Sequence, residues 1–212
     1  MGLRAVVFDY GMVLSGPQDP EAHAALMRIT GMPLDSFESL YWAGRPAFDE
    51  GKFTGVVFWE RFLRDAGLEP KPEVVEELNR WDARMWTTQN PRMLAWQLQL
   101  SERGLKTAIL SNICENVLES IQREFDWFHR FDVLVWSFQL HMVKPGPEIY
   151  LHTLRELGTR PEETLFLDDR AVNCEAARAL GMQAIQFSTV AKLREDLVAH
   201  GLDKELPLPS LK

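Results

Sequence analysis

The sequence feature that most constrains the fold is a regular alternation of short apolar runs and amphipathic segments after residue 90. The apolar runs are only about four to six residues long, which is typical of buried strands and too short for helices. Strands and helices that alternate in this way form right-handed βαβ units around a parallel sheet. The predicted strands are 105–110, 133–138, 164–167 and 183–187, and the predicted helices are 91–103, 115–124, 148–157, 173–180 and 190–200.

One more run of this type, 5–8, lies near the start of the chain, and its apolar residues predict a strand buried on both faces. Asp9 follows it directly. Because the carboxyl ends of parallel strands carry the ligand site in such sheets, Asp9 is a candidate for chemistry. Taken alone, an aspartate at this position is also typical of a helix N-cap or a turn.

The segment between this strand and residue 91 contains no convincing strand pattern and is rich in aromatic residues. Capping and breaking residues divide it into four predicted helices, 20–29, 35–42, 55–66 and 72–86. We therefore expect an α/β core of residues 1–14 and 91–212 with a small all-helical unit, residues 15–90, inserted after the first strand. Its tryptophans have helical spacing and are expected to pack in its core; they are Trp42, Trp59, Trp81 and Trp86.

Composition excludes several classes of protein. The formal net charge of −8 argues against nucleic acid or an anionic membrane as the main partner, since both need a basic face. Residues 1–14 carry neither a signal-peptide pattern nor an apolar span, so we expect a cytoplasmic protein. Cys114 and Cys174 lie far apart with no neighbouring His and are interpreted as packing residues. The tail containing Pro207 and Pro209 is expected to lie on the surface or fray.

Polar residues that suit one kind of chemistry follow or lie near the predicted strand ends: Asp9, Ser111, Lys144 and the pair Asp168 and Asp169. Three neighbouring carboxylates repel one another unless a cation lies among them, and Mg²⁺ suits such a set while leaving a position for a substrate phosphate. Ser111 and Lys144 offer donors to phosphate oxygens. A carboxylate such as Asp9 can attack phosphorus directly to give an aspartyl-phosphate that water later hydrolyses.

Each of these residues also has a purely structural interpretation. Ser111-Asn112 fits a helix cap or turn, Lys144 a solvated loop, and Asp168-Asp169 a solvated turn. Their order along the chain and their common position at strand ends are more specific than any single residue, which favours the chemical interpretation.

The sequence resembles the haloacid dehalogenase superfamily at its four motifs, and the resemblance covers the whole chain. Within the superfamily it is most similar to the bacterial alpha-D-glucose-1-phosphate phosphatases and to the N-terminal phosphatase domain of soluble epoxide hydrolase. The residues that carry the resemblance are Phe8-Asp9-Tyr10-Gly11-Met12-Val13, Leu110-Ser111-Asn112, Lys144-Pro145 and Phe166-Leu167-Asp168-Asp169.

The resemblance implies a Rossmann-like core with a helical cap of the C1 type, which corresponds to residues 15–90. It also implies a Mg²⁺ cofactor and a role for each motif residue. These roles are Asp9 as nucleophile and metal ligand, Gly11 as metal ligand through its carbonyl, Ser111 and Asn112 as phosphate contacts, Lys144 as charge neutraliser, and Asp168 and Asp169 as metal-site acids. Independently of the resemblance, Asn173 is a candidate cap of the predicted helix 173–180 or a support behind the site.

One position departs from most phosphatases of the superfamily, which carry a second Asp two residues after the nucleophile to protonate the leaving oxygen; the glucose-1-phosphate phosphatases also lack it. This chain has Gly11 there. Such general acid catalysis is worth about 10²- to 10⁴-fold. Either another residue supplies the proton, or the substrate has a leaving group that scarcely needs one, such as a sugar 1-phosphate or an aryl phosphate. The candidate donors are Asp19, His23, Glu50 and His141.

Substrate selection is expected to come from the inserted helices, because a lid of this kind closes over the site and excludes water. The candidates come from a turn-rich stretch around Gly44 and Pro46, where charged residues are also simply solvated in many proteins. They are Tyr41, Trp42, Arg45, Glu50 and Lys52.

The function that fits these features is Mg²⁺-dependent hydrolysis of a small phosphorylated metabolite, in a monomer or homodimer. A 2-haloacid dehalogenase shares the fold and the Asp nucleophile, but its halide leaves without a proton and it needs no metal-binding acid pair. A catalytically weak protein that binds a phosphorylated ligand for regulation is the other alternative, suggested by Gly11.

Overall fold

The computed structural model describes residues 2–209 and contains a five-stranded sheet in which every strand pair is parallel. The strand order is β3-β2-β1-β4-β5, so the first strand lies at the centre. This confirms the predicted α/β fold class. The strands are β1 Ala5–Phe8, β2 Lys106–Ser111, β3 Val133–Trp136, β4 Thr164–Asp168 and β5 Gln183–Gln186.

The segment that follows β1 forms four α-helices before residue 91. They are α1 Pro20–Thr30, α2 Leu34–Asp49, α3 Gly55–Asp65 and α4 Pro72–Met85. The side chain of Asp19 caps α1 by accepting from the backbone N–H groups of Glu21 and Ala22, and Thr54 caps α3 in the same manner.

The second of these helices is longer than predicted. Gly44 and Pro46 indicated a turn, yet both lie inside α2, which continues to Asp49. Packing explains the difference, because Tyr41, Arg45 and Phe48 lie along one buried side of the helix and their burial outweighs the weak helix propensity of Gly and Pro. Arg45 therefore lies on a helix and not in the predicted turn-rich stretch.

Six further helices accompany the sheet, and the shortest follows β3 directly. They are α5 Pro91–Glu102, α6 Glu115–Glu124, α7 Ser137–Leu140, α8 Pro147–Leu157, α9 Ala171–Ala179 and α10 Val190–Ala199. Among the described residues, no helix combines the length and apolar character that crossing a membrane requires.

Two apolar clusters fill the interior, one on each face of the sheet. Val6 and Phe8 point into the larger cluster, which also contains Trp59 from α3, whereas Ala5 and Val7 point into the smaller one. This alternation is the two-residue period of a strand buried on both faces. The larger cluster therefore joins the sheet to the inserted helices.

Three packing predictions can be compared with this interior. Trp59 is fully buried, whereas Trp42 is 45% exposed, so its prediction as a core residue was wrong. Both cysteines are buried and unpaired, as predicted. The prediction of a frayed tail was wrong for the described part of the chain, since Leu206 and Leu208 are buried.

Candidate active site

Strand register brings the predicted carboxylates together. Phe8 pairs with Ile109 on one side and Leu167 on the other, so the next residue, Asp9, lies beside the end of β4. The backbone N–H of Asp9 donates to the Leu167 carbonyl at 2.8 Å, which extends the ladder past β1. Asp168 ends β4 next to it. The carboxyl edge of the sheet thus carries adjacent acids from its two central strands.

Lys144 lies between these acids. Its Nζ is 2.9 Å from Asp9 Oδ1 and 2.6 Å from Asp168 Oδ2, and it donates to the Leu110 carbonyl at 2.9 Å. Burial alone would lower the pKa of this lysine, but attraction to Asp168 and Asp9 outweighs it and raises the pKa. The ammonium is therefore charged and held in place.

Asn112 holds the backbone that carries this lysine. Its Nδ2 donates to the Lys144 carbonyl at 2.9 Å, and its Oδ1 accepts from the Lys144 N–H at 2.8 Å. A phosphate contact from Asn112 would therefore use its second amide hydrogen or its backbone N–H. Ser111, the last residue of β2, is buried and faces the same site.

Asp168 is fully buried and surrounded by donors. Besides Lys144, its oxygens accept from Asn173 Nδ2 at 2.9 and 3.0 Å and from the Arg170 N–H at 2.9 Å. Asn173 lies inside α9, and the N-cap position belongs to Arg170, so the predicted helix-cap role of Asn173 was wrong. Its side chain orients Asp168, which in turn orients Lys144.

Asp9, Asp168 and Asp169 form the cluster that can hold a metal ion. Each offers a carboxylate oxygen, and these oxygens lie within 4.8 Å of one another. Burial raises the pKa of Asp9 to about 7, with Lys144 opposing the shift and the other two acids adding to it. Burial and Asp168 also raise the pKa of Asp169. Burial and mutual repulsion thus both disfavour the ionised form of these carboxylates. A hard divalent cation bound among them would remove that repulsion.

A cavity of about 120 Å³ lies above these residues. Its floor is formed by strand-end and loop residues, and its upper wall comes from the inserted helices and the residue after α4. Besides Gly11, the polar lining residues are Asp9, Arg45, Asp49, Ser111, Asn112, Lys144, Asp169, Arg170 and Asn173, and the mainly apolar ones are Tyr10, Met12, Trp42, Trp86, Ile113 and Val117.

The family model for haloacid dehalogenase-like hydrolases matches residues 18–181. The chain belongs to that family.

Relatives of this hydrolase agree with the assignment. It is 29% identical over 203 residues to phosphatase MT3486 of Mycobacterium tuberculosis, with 93% of each chain covered. It is 35% identical over 129 residues to bifunctional epoxide hydrolase 2 of mouse, where the match covers 57% of this chain and 23% of the relative. The matched part of the chain thus spans about a quarter of the length of the epoxide hydrolase.

Solved structures share the fold of this hydrolase. HAD family enzyme BT-2542 of Bacteroides thetaiotaomicron, solved with magnesium and inorganic phosphate, has a TM-score of 0.73 at 20% identity, covering 91% of this chain and 99% of the other. L-2-haloacid dehalogenase of Xanthobacter autotrophicus has a TM-score of 0.65 at 23% identity, covering 94% and 84%. At these identities the likeness concerns the fold alone.

In this hydrolase the five candidate cap residues lie in different environments. Trp42 and Arg45 line the cavity. Tyr41 is buried behind it and donates to Asp82 at 2.6 Å. Glu50 and Lys52 pair with each other at 2.7 Å and do not line the cavity.

None of the four candidate proton donors lines the cavity. Asp19 caps α1 and pairs with Arg84, and His23 pairs with Glu38 at 2.6 Å. His141 contacts the carbonyl of Glu50. The sequence interpretation missed Asp49, which does line the cavity. Its position four residues after Arg45 could have indicated it, because that spacing places both side chains on one face of a helix.

Proposed function

We propose that this hydrolase is a Mg²⁺-dependent phosphomonoesterase that acts on a small phosphorylated metabolite through an aspartyl-phosphate at Asp9. The observation that carries the proposal is the contact between Asp9 and Lys144 at 2.9 Å on the floor of the cavity, next to Asp169. A carboxylate beside a fixed cation and a second acid suits attack on phosphorus. Similarity to phosphatase MT3486, and the magnesium and phosphate bound by BT-2542, support it.

The residues that would hold the cation are Asp9, Asp169 and the Gly11 carbonyl, all of which line the cavity. When bound, Mg²⁺ would neutralise the carboxylates and polarise the phosphoryl oxygens. Asp168 is a fourth proposed metal-site residue, because it belongs to the same acid cluster. Its oxygens already accept hydrogen bonds from Lys144, Asn173 and Arg170. Positioning Lys144 is therefore its principal role.

The chain's own groups then carry the reaction. Asp9 attacks phosphorus, and the P–O bond to the leaving group breaks on the opposite side. Lys144 and the Ser111 hydroxyl bind the phosphoryl oxygens and neutralise charge that develops on them. Water afterwards hydrolyses the aspartyl-phosphate. Alignment of these groups supplies much of the acceleration.

The inserted segment, residues 15–90, acts as the cap over a core formed by residues 1–14 and 91–212. The cavity supports this division, because α2 contributes Trp42 and Arg45 to its upper wall and Trp86 follows α4. The two indole rings are 6.4 Å apart and nearly perpendicular. Together they offer an apolar wall against which a sugar face or an aryl ring can pack.

Gly11 removes the acid from its usual position, and whichever residue supplies the proton instead, an anomeric oxygen is a weaker base than a simple alcohol and needs less help from it. Sugar 1-phosphates are therefore the first substrates to test. Glucose 1-phosphate is expected to be hydrolysed faster than glucose 6-phosphate. The comparison is made with purified protein and excess Mg²⁺ by measuring released phosphate. Faster hydrolysis of the 6-phosphate would contradict the preference.

The function itself is tested with a panel of phosphate esters, with and without Mg²⁺, on the wild type and Asp9→Asn. We expect hydrolysis that needs Mg²⁺ and is lost in Asp9→Asn, while the exposed control Asp203→Asn stays active. Hydrolysis that persists in Asp9→Asn would show that Asp9 is not the nucleophile. Chloride release from a 2-haloacid without Mg²⁺ would indicate a dehalogenase, and tight binding of a sugar phosphate without turnover would indicate a regulatory protein.

A further inference from the structure

We propose that Asp49 is the proton donor that replaces the missing acid at Gly11. The inference rests on the proposed phosphatase function and names a further catalytic residue for it. Asp49 is the last residue of α2 and lines the cavity together with Asp9 and Lys144. The cap, and not the turn after β1, would thus deliver the acid to the leaving oxygen.

The chain holds Asp49 in a defined position. Its backbone carbonyl accepts a hydrogen bond from the Ser137 hydroxyl, which fixes the end of α2 to the residue that follows β3. Its side chain is only 12% exposed. A carboxyl that is fixed by the backbone and shielded from water can keep the geometry that proton transfer requires.

The other lining groups are poor alternatives. Among the described residues of the cavity, Asp9 is the proposed nucleophile and Asp169 a proposed metal ligand. Lys144 is held between two carboxylates, and the Tyr10 hydroxyl donates to the Trp86 carbonyl at 2.7 Å. The arginines of the cavity do not give up protons at physiological pH. Asp49 is the carboxyl that remains.

Its surroundings suit a group that both gives and takes a proton. Arg45 Nη2 forms an ion pair with Asp49 Oδ1 at 2.7 Å, which orients the carboxyl group. Burial raises the pKa of Asp49, Arg45 opposes the shift, Asp82 adds to it and Arg170 lowers it. The net upward shift increases the protonated fraction available to an acid.

The proton balance closes over one turnover. As Asp9 bonds to phosphorus and the P–O bond to the substrate breaks, protonated Asp49 gives its proton to the leaving oxygen, and the alcohol departs. Asp49 carboxylate then takes a proton from the attacking water as the new P–O bond forms and the bond to Asp9 breaks. Phosphate leaves, and Asp49 is again protonated.

The test is how strongly kcat/KM depends on the leaving group in Asp49→Asn, using p-nitrophenyl phosphate, phenyl phosphate and benzyl phosphate with excess Mg²⁺. This parameter reports the steps up to formation of the aspartyl-phosphate, so later hydrolysis does not mask the effect. We expect a loss of about 10²-fold or more for benzyl phosphate and less than about tenfold for p-nitrophenyl phosphate. Equal losses on the three esters would overturn the proposal, because a merely structural role does not discriminate between leaving groups.

Glu50→Gln is the matched control, since it neutralises the adjacent carboxylate, which lies outside the cavity. It should leave all three values unchanged. Gly11→Asp added to Asp49→Asn supplies a rescue. A Cβ at Gly11 meets Trp86 Cζ3 at 3.7 Å, an ordinary contact, and its φ of −60° suits any residue. We expect benzyl phosphate hydrolysis to recover in the double variant.

The proposal can still be tested if the variant does not fold or if the wild type is inactive. If Asp49→Asn fails to fold by circular dichroism, the wild type alone is informative, because a steep fall of kcat/KM with leaving-group basicity would show that no acid assists and would overturn the proposal. A wild type that hydrolyses no phosphate ester would refute the phosphatase function. An active wild type with uniform losses in Asp49→Asn would refute only the donor.

Discussion

Lys144 is the residue on which the geometry of the site depends, since it contacts acids from two neighbouring strands. Lys144→Met keeps a similar length but leaves Asp9 and Asp168 buried without their counterion. Breaking a buried pair in this way costs about 3–5 kcal/mol. We expect a loss of that order in metal-free urea unfolding at pH 7.5. Lys192→Met, which removes an exposed partner of Asp196, should cost less than about 1 kcal/mol; equal losses would contradict the prediction.

The raised pKa of Asp9, about 7, gives stability a pH dependence. Between pH 4 and 7 the unfolded chain has released a proton that folded, metal-free protein retains, so stability falls as pH rises. Bound Mg²⁺ should stabilise the folded protein more as the pH rises, because Mg²⁺ binding requires the ionised Asp9 carboxylate. We expect Mg²⁺ to raise Tm more at pH 8 than at pH 5.5, measured against EDTA. The difference between the two pH values should be smaller in Asp9→Asn, where the raised pKa of Asp169 remains. An equal Mg²⁺ effect at both values would contradict it.

Among the site residues, the sequence predicted best those whose position follows from the end of a strand. Asp9, Ser111 and Asp168 each end or follow an apolar strand, so parallel pairing alone predicts that they converge. The role of Asn112 as a clamp on Lys144 could not be predicted, because it depends on how a distant loop returns to the sheet. Asp49 was missed because the predicted helix ended at residue 42, so its helical spacing from Arg45 was not recognised.

Among the helices and strands, α2 is the one whose length was predicted least accurately from the sequence. Gly44 resembles a turn residue, but in the structure it lets α2 approach α3: a Cβ there would lie 2.8 Å from Phe58 Cε2. That ring stacks on Phe48 at 4.6 Å and has little room to move. The local sequence indicates the intrinsic helix propensity of α2, whereas the close approach at Gly44 depends on how α2 and α3 pack against each other.

Gly44→Ala is therefore expected to destabilise the protein, although the same change in an exposed helix is worth about 1 kcal/mol of stabilisation. Overpacking of this kind typically costs about 1–3 kcal/mol. Urea unfolding measures the change. Ala43→Gly, at the exposed neighbouring position, controls for propensity and should lose about 1 kcal/mol. A Gly44→Ala protein more stable than the wild type would contradict the close approach.

At the scale of the whole molecule, the helices α1–α4 and one face of the sheet share an apolar cluster that includes Phe8, Trp59 and Trp96. The alternation of strands and helices predicted the sheet, but it contained no information about this shared packing. Because the cluster is continuous, we expect one calorimetric unfolding transition with equal van't Hoff and calorimetric enthalpies. Two separated transitions would show that the inserted helices unfold independently.

The central place of β1 has a consequence for how the protein protects its reaction centre. The Asp9 N–H donates to the Leu167 carbonyl directly after the end of β1, the central strand, which is paired on both sides and covered on both faces. Deuterium can reach such an amide only when the molecule opens as a whole. The backbone amide of Asp9, the proposed nucleophile, should therefore be among the slowest to exchange, and local fluctuations elsewhere would leave its geometry intact until global opening.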